Sequence, residues 1–292
     1  MKKNIKDIGK SIRTKLLNIA KTKNVDFQQL AIRYLYERLL YRLSISKYRD
    51  KLYLKGGVLM YAIEQNYARP TLDIAFLGDQ MSNDMSELVK VFAEICAIDD
   101  PEDGVVFDFA HITAEPINEA KDYVGTRLSI VATLDTIKQP LKIDIGFGDV
   151  LVAEPKIITY QPEINTLKAP KIKAYSIETV IAEKFQAMID LSELNSRLKD
   201  FYDVYGLLTK HDINQELLSS SILATFKNRG TGYIENHPLF TPEFASDAKR
   251  LTQWKAVLRK QKKNMDLDFE HVLKRIEERL KPLFELMREE KK

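Results

Sequence analysis

The sequence has little of several residues that stabilise small folds or bind metals. Its single cysteine, Cys96, excludes an intrachain disulfide and a cysteine-cluster zinc site, and this fits a reducing cytoplasm. The four histidines are scattered without the spacing of metal ligands, so we assign none of them to a metal. No apolar run is long enough to span a bilayer, and the basic amino terminus lacks the apolar core of a signal peptide. We therefore expect a cytoplasmic protein without a membrane segment, in which Cys96 is a buried structural thiol.

An excess of charge of one sign is also missing. The chain has 45 Lys and Arg against 42 Asp and Glu, a formal net charge of +3. Any affinity for nucleic acid must therefore come from local basic patches. What the chain does have is length, because 292 residues with 45% hydrophobic content suffice for one large core or two smaller ones.

The hydrophobic pattern predicts an α+β protein with a helical carboxyl-terminal lobe. Helical spacing between Ser11 and about Ser44 predicts two helices, with Asp26 capping the second. After Asp50, short apolar segments separated by Gly, Pro and Asp are typical of strands and turns. Beyond Pro170 the pattern is helical almost throughout. We expect a division near residue 170, between amino-terminal helices plus a mixed-sheet core (1–170) and a helical lobe (171–292).

The individual elements follow from the same patterns. The predicted strands are Leu52–Leu54, Leu72–Leu77, Thr126–Leu134 and Pro140–Phe147, the last two forming a hairpin around a loop at 135–139. The predicted helices are one opening at Gly56-Gly57 and others at Ser82–Ile98, Ile177–Leu191, Lys199–Leu208, Gln215–Phe226, Ala248–Lys262 and Phe269–Arg288.

Two carboxylates lie on predicted strands that are otherwise apolar on one face. Strand alternation sends the apolar neighbours of Asp73 to one face and Asp73 with Ala75 to the other. The same alternation isolates Asp144 among Leu141, Ile143 and other buried positions. If the strands are neighbours, Asp73 and Asp144 can bind one divalent cation, since Mg²⁺ prefers oxygen ligands. The alternative is that each is an exposed strand acid or a turn residue.

A glycine pair lies between a predicted strand and a predicted helix. In Lys55-Gly56-Gly57 a phosphate can approach backbone amides at the start of the helix, where the dipole also favours an anion. A tight connection between strand and helix explains the pair equally well.

Four segments together resemble a known family: YLKGGVLMYAI, RPTLDIAFLG, KIDIGFGD and IETVIAEKFQAMIDLSELNSRLKDFYDVYGLL. They are similar to the AbiEii/AbiGii toxins, which are DNA-polymerase-β-like nucleotidyltransferases of bacterial toxin-antitoxin and phage-abortive-infection systems. The resemblance extends over nearly the whole chain. It implies a nucleotidyltransferase core with a mixed sheet and a nucleotide bound between this core and the helical lobe.

The resemblance also implies roles for individual residues. Gly56 and Gly57, with Lys55 beside them, would hold the nucleoside triphosphate, and Asp73 and Asp144 would be metal-binding carboxylates. Catalytic and nucleotide-binding roles are further implied for Lys184, Arg197, Lys199, Asp200 and Asp203. The alternative is a solvated helix lysine for Lys184 and, for Asp200, an acid favoured near a helix amino terminus. The resemblance favours the functional roles.

The chain departs from the family at one position. Family members have a D-x-D motif where this chain has Asp73-Ile74-Ala75, and alanine offers no oxygen to a metal. We expect Ala75 to impair catalysis and to spare the fold, because its side chain points away from the apolar face of the strand. A naturally inactive relative and a substitution introduced to allow production of a toxic enzyme both remain open, and the intact motifs elsewhere favour the second.

The activity implied for the parent enzyme is Mg²⁺-dependent transfer of a nucleoside monophosphate from an NTP to an RNA hydroxyl, with the tRNA 3′ end as acceptor and an antitoxin encoded nearby. Two other functions stay open: a nucleotide- or RNA-binding protein without catalysis, and a nucleotidyltransferase acting on a small molecule. The helical lobe offers RNA contacts in the form of a base stacked on Trp254 and phosphates bound by nearby basic residues. The alternative is that these basic residues only form the solvated face of an amphipathic helix. These residues are Lys249, Arg250, Lys255, Arg259, Lys260, Lys262 and Lys263.

Overall fold

The structure is a computed structural model that describes residues 5–64, 71, 73–119, 123–192, 197–261 and 266–291. The helices are α1 Ile5–Lys23, α2 Phe27–Ile45, α3 Gly56–Glu64, α4 Met85–Cys96, α5 Ile177–Leu191, α6 Leu198–Lys210, α7 Gln215–Asn228, α8 Pro242–Ser246, α9 Ala248–Gln261 and α10 Phe269–Glu285. The strands are β1 Leu52–Lys55, β2 Asp73–Gly78, β3 Val105–Phe107, β4 Thr113–Glu119, β5 Tyr123–Leu134, β6 Ile137–Gly146, β7 Lys156–Thr159 and β8 Lys171–Ala174. This mixed sheet with helices before and after it confirms the predicted fold class.

The chain divides into two compact units. The first, which we call the sheet unit, comprises Met1–Ala62, Thr71–Gly148 and Lys156–Ala174. The second, the helical unit, comprises Ile63–Pro70, Asp149–Pro155 and Tyr175–Lys292. The expected division at residue 170 stays a prediction.

The described strands form one mixed sheet in the order β3-β5-β6-β2-β1-β8-β7, with β4 also paired to β5. Strand β2 runs parallel to β6 and β1 parallel to β8, whereas the other pairs are antiparallel. The parallel pair β2 and β6 places the two segments that carry the predicted carboxylates side by side.

Two details of the predicted elements were wrong. The hairpin loop is not five residues long: Leu134 pairs with Ile137, so only Asp135 and Thr136 form the turn. Asp135 adopts a φ of 52°, the left-handed conformation that two-residue hairpin turns require. The chain also does not become helical directly after Pro170, because β8 follows and pairs with both β1 and β7. Its short Lys-Ile-Lys-Ala pattern is too brief for periodicity to identify.

Helix boundaries follow the capping residues in the sequence. Asp26 caps α2 as predicted, because its side chain accepts a hydrogen bond from the Gln29 amide at 2.9 Å. Ser176 caps α5 in the same way, accepting from the Thr179 amide at 3.1 Å. Helix α5 has the predicted bounds, Ile177–Leu191. None of the described helices has the length and apolar character that crossing a membrane demands.

Helix α2 forms the centre of the sheet unit and is buried on almost every side. It contributes apolar residues such as Leu30, Leu35 and Leu39 to the core. It also carries Glu37 and Arg38, both fully buried. The predicted burial of Cys96 on α4 is confirmed, and burial raises the pKa of its thiol to about 12.

Candidate active site

The register of the sheet places the predicted site residues in rows across the strands. Residues paired in register project to the same face of a sheet. One row, here called the Ala75 row, crosses β1, β2, β6, β5 and β4 and consists of Lys55, Ala75, Asp144, Arg127 and Glu115. The next row on the same face, the Asp73 row, consists of Asp73, Lys142, Ser129 and Thr113.

Asp73 and Asp144 therefore lie on one face of two adjacent strands, as the alternation predicted. Ala75 is directly opposite Asp144 in register, and Asp73 is two residues before it on β2. The neighbours Ile74 and Ile143 are fully buried on the other face. Asp73 is exposed, and the Thr71 hydroxyl donates to its Oδ1 at 2.5 Å. The structure thus brings the two acids together, while their role as metal ligands stays a prediction.

The glycine pair begins α3 beside the Ala75 row. Gly56 has a φ of +69°, and a Cβ added to it would lie 3.2 Å from the Ala75 Cβ. A Cβ on Gly57 would lie 2.6 Å from the Thr71 Oγ1, so a side chain there requires a displacement. The close approach of the start of α3 to Ala75 and Thr71 therefore favours glycine at both positions. Lys55 occupies the last position of β1, in register with Ala75.

Asp144 has a partner that the sequence reasoning missed. Arg127 on β5 donates from Nε to Asp144 Oδ1 and from Nη2 to Oδ2, both at 2.7 Å. The hydrogen bond to Asp144 is the main cause of a raised Arg127 pKa, and the charges of Asp73 and Glu115 add to it. Strand alternation is the signal that puts Arg127 on this face, but its pairing with Asp144 depends on the register.

A tyrosine from α2 contacts β6, the strand that carries Asp144. The Lys142 amide donates to the Tyr36 hydroxyl, and this hydroxyl donates to the Lys142 carbonyl, both at 3.1 Å. Burial raises the pKa of Tyr36, and the nearby negative charges of Asp73 and Asp144 add to the increase. Tyr36 therefore fixes the main chain of β6 next to the two acids.

The open face of the sheet offers a small set of metal ligands. Among the residues that the structure describes, no three His, Cys, Asp or Glu side chains are grouped so that they could hold a metal ion. Asp73 and Asp144 provide two carboxylates, and the methyl group of Ala75 lies in the row between Lys55 and Asp144. Two carboxylates fit one Mg²⁺ that keeps water and takes phosphate oxygens.

A separate cluster in the helical unit joins three predicted site residues. Lys184 on α5 donates from Nζ to Asp200 Oδ1 at 2.5 Å and to Asp203 Oδ2 at 2.8 Å. Their side chains are 11%, 14% and 2% exposed, respectively. Asp200 and Asp203 lie on one face of α6, as their spacing predicted. Arg197 is the exposed N-cap residue of α6, and its carbonyl accepts from the Asp200 amide at 2.8 Å.

A second network in the helical unit connects segments that the sequence resemblance singled out. Arg229 donates from Nη2 to Asp149 Oδ1 at 3.0 Å, and the same nitrogen lies 3.3 Å from Glu183 Oε1. Its Nη1 donates to Gln186 Oε1 at 2.9 Å. Arg229 therefore fixes the segment after β6 to helix α5, next in sequence to Lys184.

The expected base-stacking role of Trp254 was wrong. Trp254 is 2% exposed, packs against Phe269 and Tyr202, and donates from its indole to the Leu267 carbonyl at 2.8 Å. Arg250 is also buried, with its guanidinium over the Phe244 ring. Both residues belong to the core because they face inward from α9. Exposed members of the predicted basic patch are Lys249, Lys255, Arg259 and Lys260, while Lys262 and Lys263 lie outside the described residues.

Comparison with known proteins gives one family match and similar solved structures. A family described as "Nucleotidyl transferase AbiEii toxin, Type IV TA system" matches residues 38–275. A crystal structure of a candidate nucleotidyltransferase from H. pylori is similar with a TM-score of 0.51 at 14% identity, covering 91% of this chain and 98% of its own. The crystal structure of JHP933 from Helicobacter pylori is similar with a TM-score of 0.50 at 14% identity, covering 91% and 96%. No curated protein matches the chain. At this identity the two structures establish similarity of fold alone.

Proposed function

The chain belongs to the AbiEii family of toxin nucleotidyltransferases, and from this premise we propose that the Ala75 and Asp73 rows form its catalytic face. The proposed parent reaction is Mg²⁺-dependent transfer of a nucleoside monophosphate from an NTP to an RNA hydroxyl, with the tRNA 3′ end as acceptor. An antitoxin is the partner that the family implies. The observation that carries the proposal is the register that aligns Asp73, position 75 and Asp144 on one face beside Gly56.

The two acids are the proposed ligands of the cation. Proteins of this family generally use a divalent metal, and Asp73 and Asp144 would hold it here. When bound, Mg²⁺ supplies activation of the attacking hydroxyl and neutralisation of charge on the leaving pyrophosphate. Thr71 orients the Asp73 carboxylate through its hydroxyl. The main chain at Gly56 and Gly57 begins α3 close to Thr71 and Ala75, and its amides are the proposed contacts of the phosphates.

We propose that the residue at position 75 limits catalysis by this chain. Ala75 has no ligand atom, although it lies opposite Asp144 where a carboxylate would complete the set. Asp144 meanwhile has both oxygens bonded to Arg127. We propose that the chain as written is catalytically impaired and that its fold is intact, because the side chain of residue 75 is not part of the buried face.

The remaining predicted residues are proposed to act on the substrate. Lys55 lies in the Ala75 row directly before the glycine pair and would contact the triphosphate. Arg197 is exposed at the start of α6. Lys184, held by Asp200 and Asp203, would exchange one of these carboxylates for a phosphate. The exposed lysines of α9 are the proposed RNA contacts.

Transfer of a labelled NTP to total tRNA tests the proposed reaction. Replacing Ala75 by aspartate should raise labelling by about 100-fold or more, since a metal ligand acts on the transition state. It should also make expression toxic. Ala75→Asn, which has nearly the same size without the charge, is the matched control and should label little. Adding Lys184→Ala to Ala75→Asp should remove most of the gain. A folded Ala75→Asp protein that labels no RNA and is harmless in cells would contradict the proposal.

Binding of nucleoside triphosphates tests the chain as written. The phosphate contacts proposed for Gly56 and Gly57 do not need residue 75, so calorimetry should detect an NTP. The dependence of this binding on Mg²⁺ should be weaker than in Ala75→Asp. A folded sample that binds none of the four NTPs at about millimolar concentration, the weak end of specific affinities, would remove the proposed nucleotide site.

A second candidate function rests on Ala75 itself. If the residue is natural, the same face would bind a nucleotide or RNA without catalysing transfer. This candidate predicts NTP binding by the chain as written and no transfer by the Ala75→Asp protein.

A further inference from the structure

The catalytic face is electrically balanced within its own two rows. The Ala75 and Asp73 rows together carry three acids and three bases: Asp73, Glu115 and Asp144 against Lys55, Arg127 and Lys142. A site that binds a free divalent cation tightly normally has an excess of negative charge, because the ion must give up part of its hydration shell. Charge balance therefore disfavours a free cation at this face.

Arg127 neutralises the acid on which the metal depends. Its guanidinium forms two parallel hydrogen bonds of 2.7 Å to the two oxygens of Asp144, the strongest geometry available to this pair. The register also places Arg127 between Asp144 and Glu115 on the neighbouring strands. The pair is partly exposed, with 31% of the Arg127 side chain and 20% of the Asp144 side chain accessible. A ligand arriving from solvent can reach it.

A cation approaching Asp144 meets this guanidinium. Two of the roughly four lone-pair sites of a carboxylate are used by the two hydrogen bonds, so a metal ligand site remains only beside a positive charge. Repulsion between Arg127 and a divalent ion acts over a few ångströms in a partly buried setting, where it is weakly screened. Free Mg²⁺ must therefore displace Arg127 or bind next to it.

We propose that Arg127 is the internal counter-ion of Asp144, and that it excludes free divalent cations from this face until the phosphates of a nucleotide are present. A guanidinium fork fits phosphate oxygens as well as it fits a carboxylate. Phosphates therefore give Arg127 an alternative partner and bring the negative charge that the face lacks. Arg127 is a positioning residue in this account, and the inference rests on the proposed function for the identity of the site.

Binding of Mn²⁺ without nucleotide, followed by the electron paramagnetic resonance of the free ion, tests the inference on the full chain. Arg127→Met should bind Mn²⁺ about 10-fold or more tightly than the unmodified chain, because one adjacent positive charge is removed. Arg127→Lys keeps the charge without the fork and should give a smaller gain. The gain should disappear when Asp144→Asn is combined with Arg127→Met. Circular dichroism verifies the fold of each variant.

Lys138→Met is the matched control. It removes the same charge from β6, at a position opposite Thr133 that lies outside both rows, and should change Mn²⁺ affinity by less than about 3-fold because the charge is far from both acids. Equal gains in Lys138→Met and Arg127→Met would show that the effect depends only on the net charge of the protein, and would overturn the counter-ion role. Unchanged or weaker Mn²⁺ binding by Arg127→Met would also overturn it. If Arg127→Met does not fold, Arg127→Gln, which also removes the charge, takes its place, and absence of a gain in Arg127→Gln would overturn the inference.

The two proposals fail separately. Tighter Mn²⁺ binding by Arg127→Met combined with absence of transfer by Ala75→Asp would remove the proposed reaction and keep the counter-ion role. Transfer by Ala75→Asp combined with unchanged Mn²⁺ binding by Arg127→Met would keep the proposed reaction and remove the counter-ion role.

Discussion

Two arginine–aspartate pairs in the sheet unit have the same chemistry and very different surroundings. Arg42 and Asp103 are 3% and 0% exposed, whereas Arg127 and Asp144 are 31% and 20% exposed. Arg42 donates to Asp103 at 2.6 Å and also to the carbonyls of Ile98, Arg38 and Val105. Arg127 is bonded to Asp144 on an open face of the sheet.

This difference in burial implies that the Arg42–Asp103 pair stabilises the fold, whereas the Arg127–Asp144 pair can be opened. Taking Arg42 or Asp103 away leaves an uncompensated charge in the interior, where water cannot replace the lost partner. Opening the Arg127–Asp144 pair exposes both groups to solvent or to a ligand, at a much lower cost. A pair that must exchange partners during binding is therefore expected on the surface of the sheet, which is where Arg127 and Asp144 lie.

The largest expected effect is the loss of the buried pair. Arg42→Met should lower the free energy of unfolding by about 3–5 kcal/mol, because Asp103 stays buried and the three carbonyls lose a donor. Urea denaturation followed by circular dichroism measures it. Lys47→Met, at the exposed Lys47–Glu94 pair, is the control and should leave the midpoint unchanged. If both variants unfold at the same urea concentration, burial does not distinguish the pairs.

The sequence predicted the face on which Asp73 and Asp144 lie, but not the partner of Asp144. Alternation in β2 and β6 depends only on neighbouring residues, so it can be read locally. The register of β5 against β6 depends on the turn. A loop at 135–139 would pair Leu134 with Pro140 and bring Arg127 opposite Phe147 on the other face. The two-residue turn at Asp135 instead brings Arg127 opposite Asp144.

The sequence pattern also did not predict which charged and aromatic residues are buried. The helices α5 and α6 could be predicted because their apolar residues and caps repeat at helical spacing. Trp254 lies among basic residues of α9, and only the packing against Phe269 shows that it faces the core. The charges of α2 interrupt an apolar pattern, and their burial results from partners far away in sequence, such as Asp103 and Glu163.

A smaller effect on the free energy of unfolding is expected from Glu37, an acid that is completely buried. Burial raises its pKa to about 7, although the charge of Arg38 and the hydrogen bond from the Glu163 amide lower it. The folded state therefore holds a proton that the unfolded state releases near pH 4.5. By linkage, this contribution to stability is present at low pH and is lost as pH rises from about 4.5 through about 7.

Glu37→Gln should remove this pH dependence, since glutamine resembles the protonated acid at every pH. Between pH 5 and pH 8 the unmodified chain should lose about 1–3 kcal/mol more than the variant, judged from the size of the pKa shift. Urea denaturation of both proteins at the two pH values provides the comparison. Parallel losses in the two proteins would assign the pH dependence to other groups.

The smallest expected effect is on the stability of the open pair. Arg127→Met should lower the free energy of unfolding by less than about 1 kcal/mol, because solvent replaces the guanidinium at a partly exposed carboxylate. The measurement is the same urea denaturation, performed without metal or nucleotide beside Arg42→Met. A loss comparable to that of Arg42→Met would show that the Arg127–Asp144 pair is as structural as the buried one, and a carboxylate so firmly bound could not be released for a cation. A small loss combined with tighter Mn²⁺ binding would leave Arg127 with a role in ligand binding, since its contribution to the fold would be too small to explain the pair.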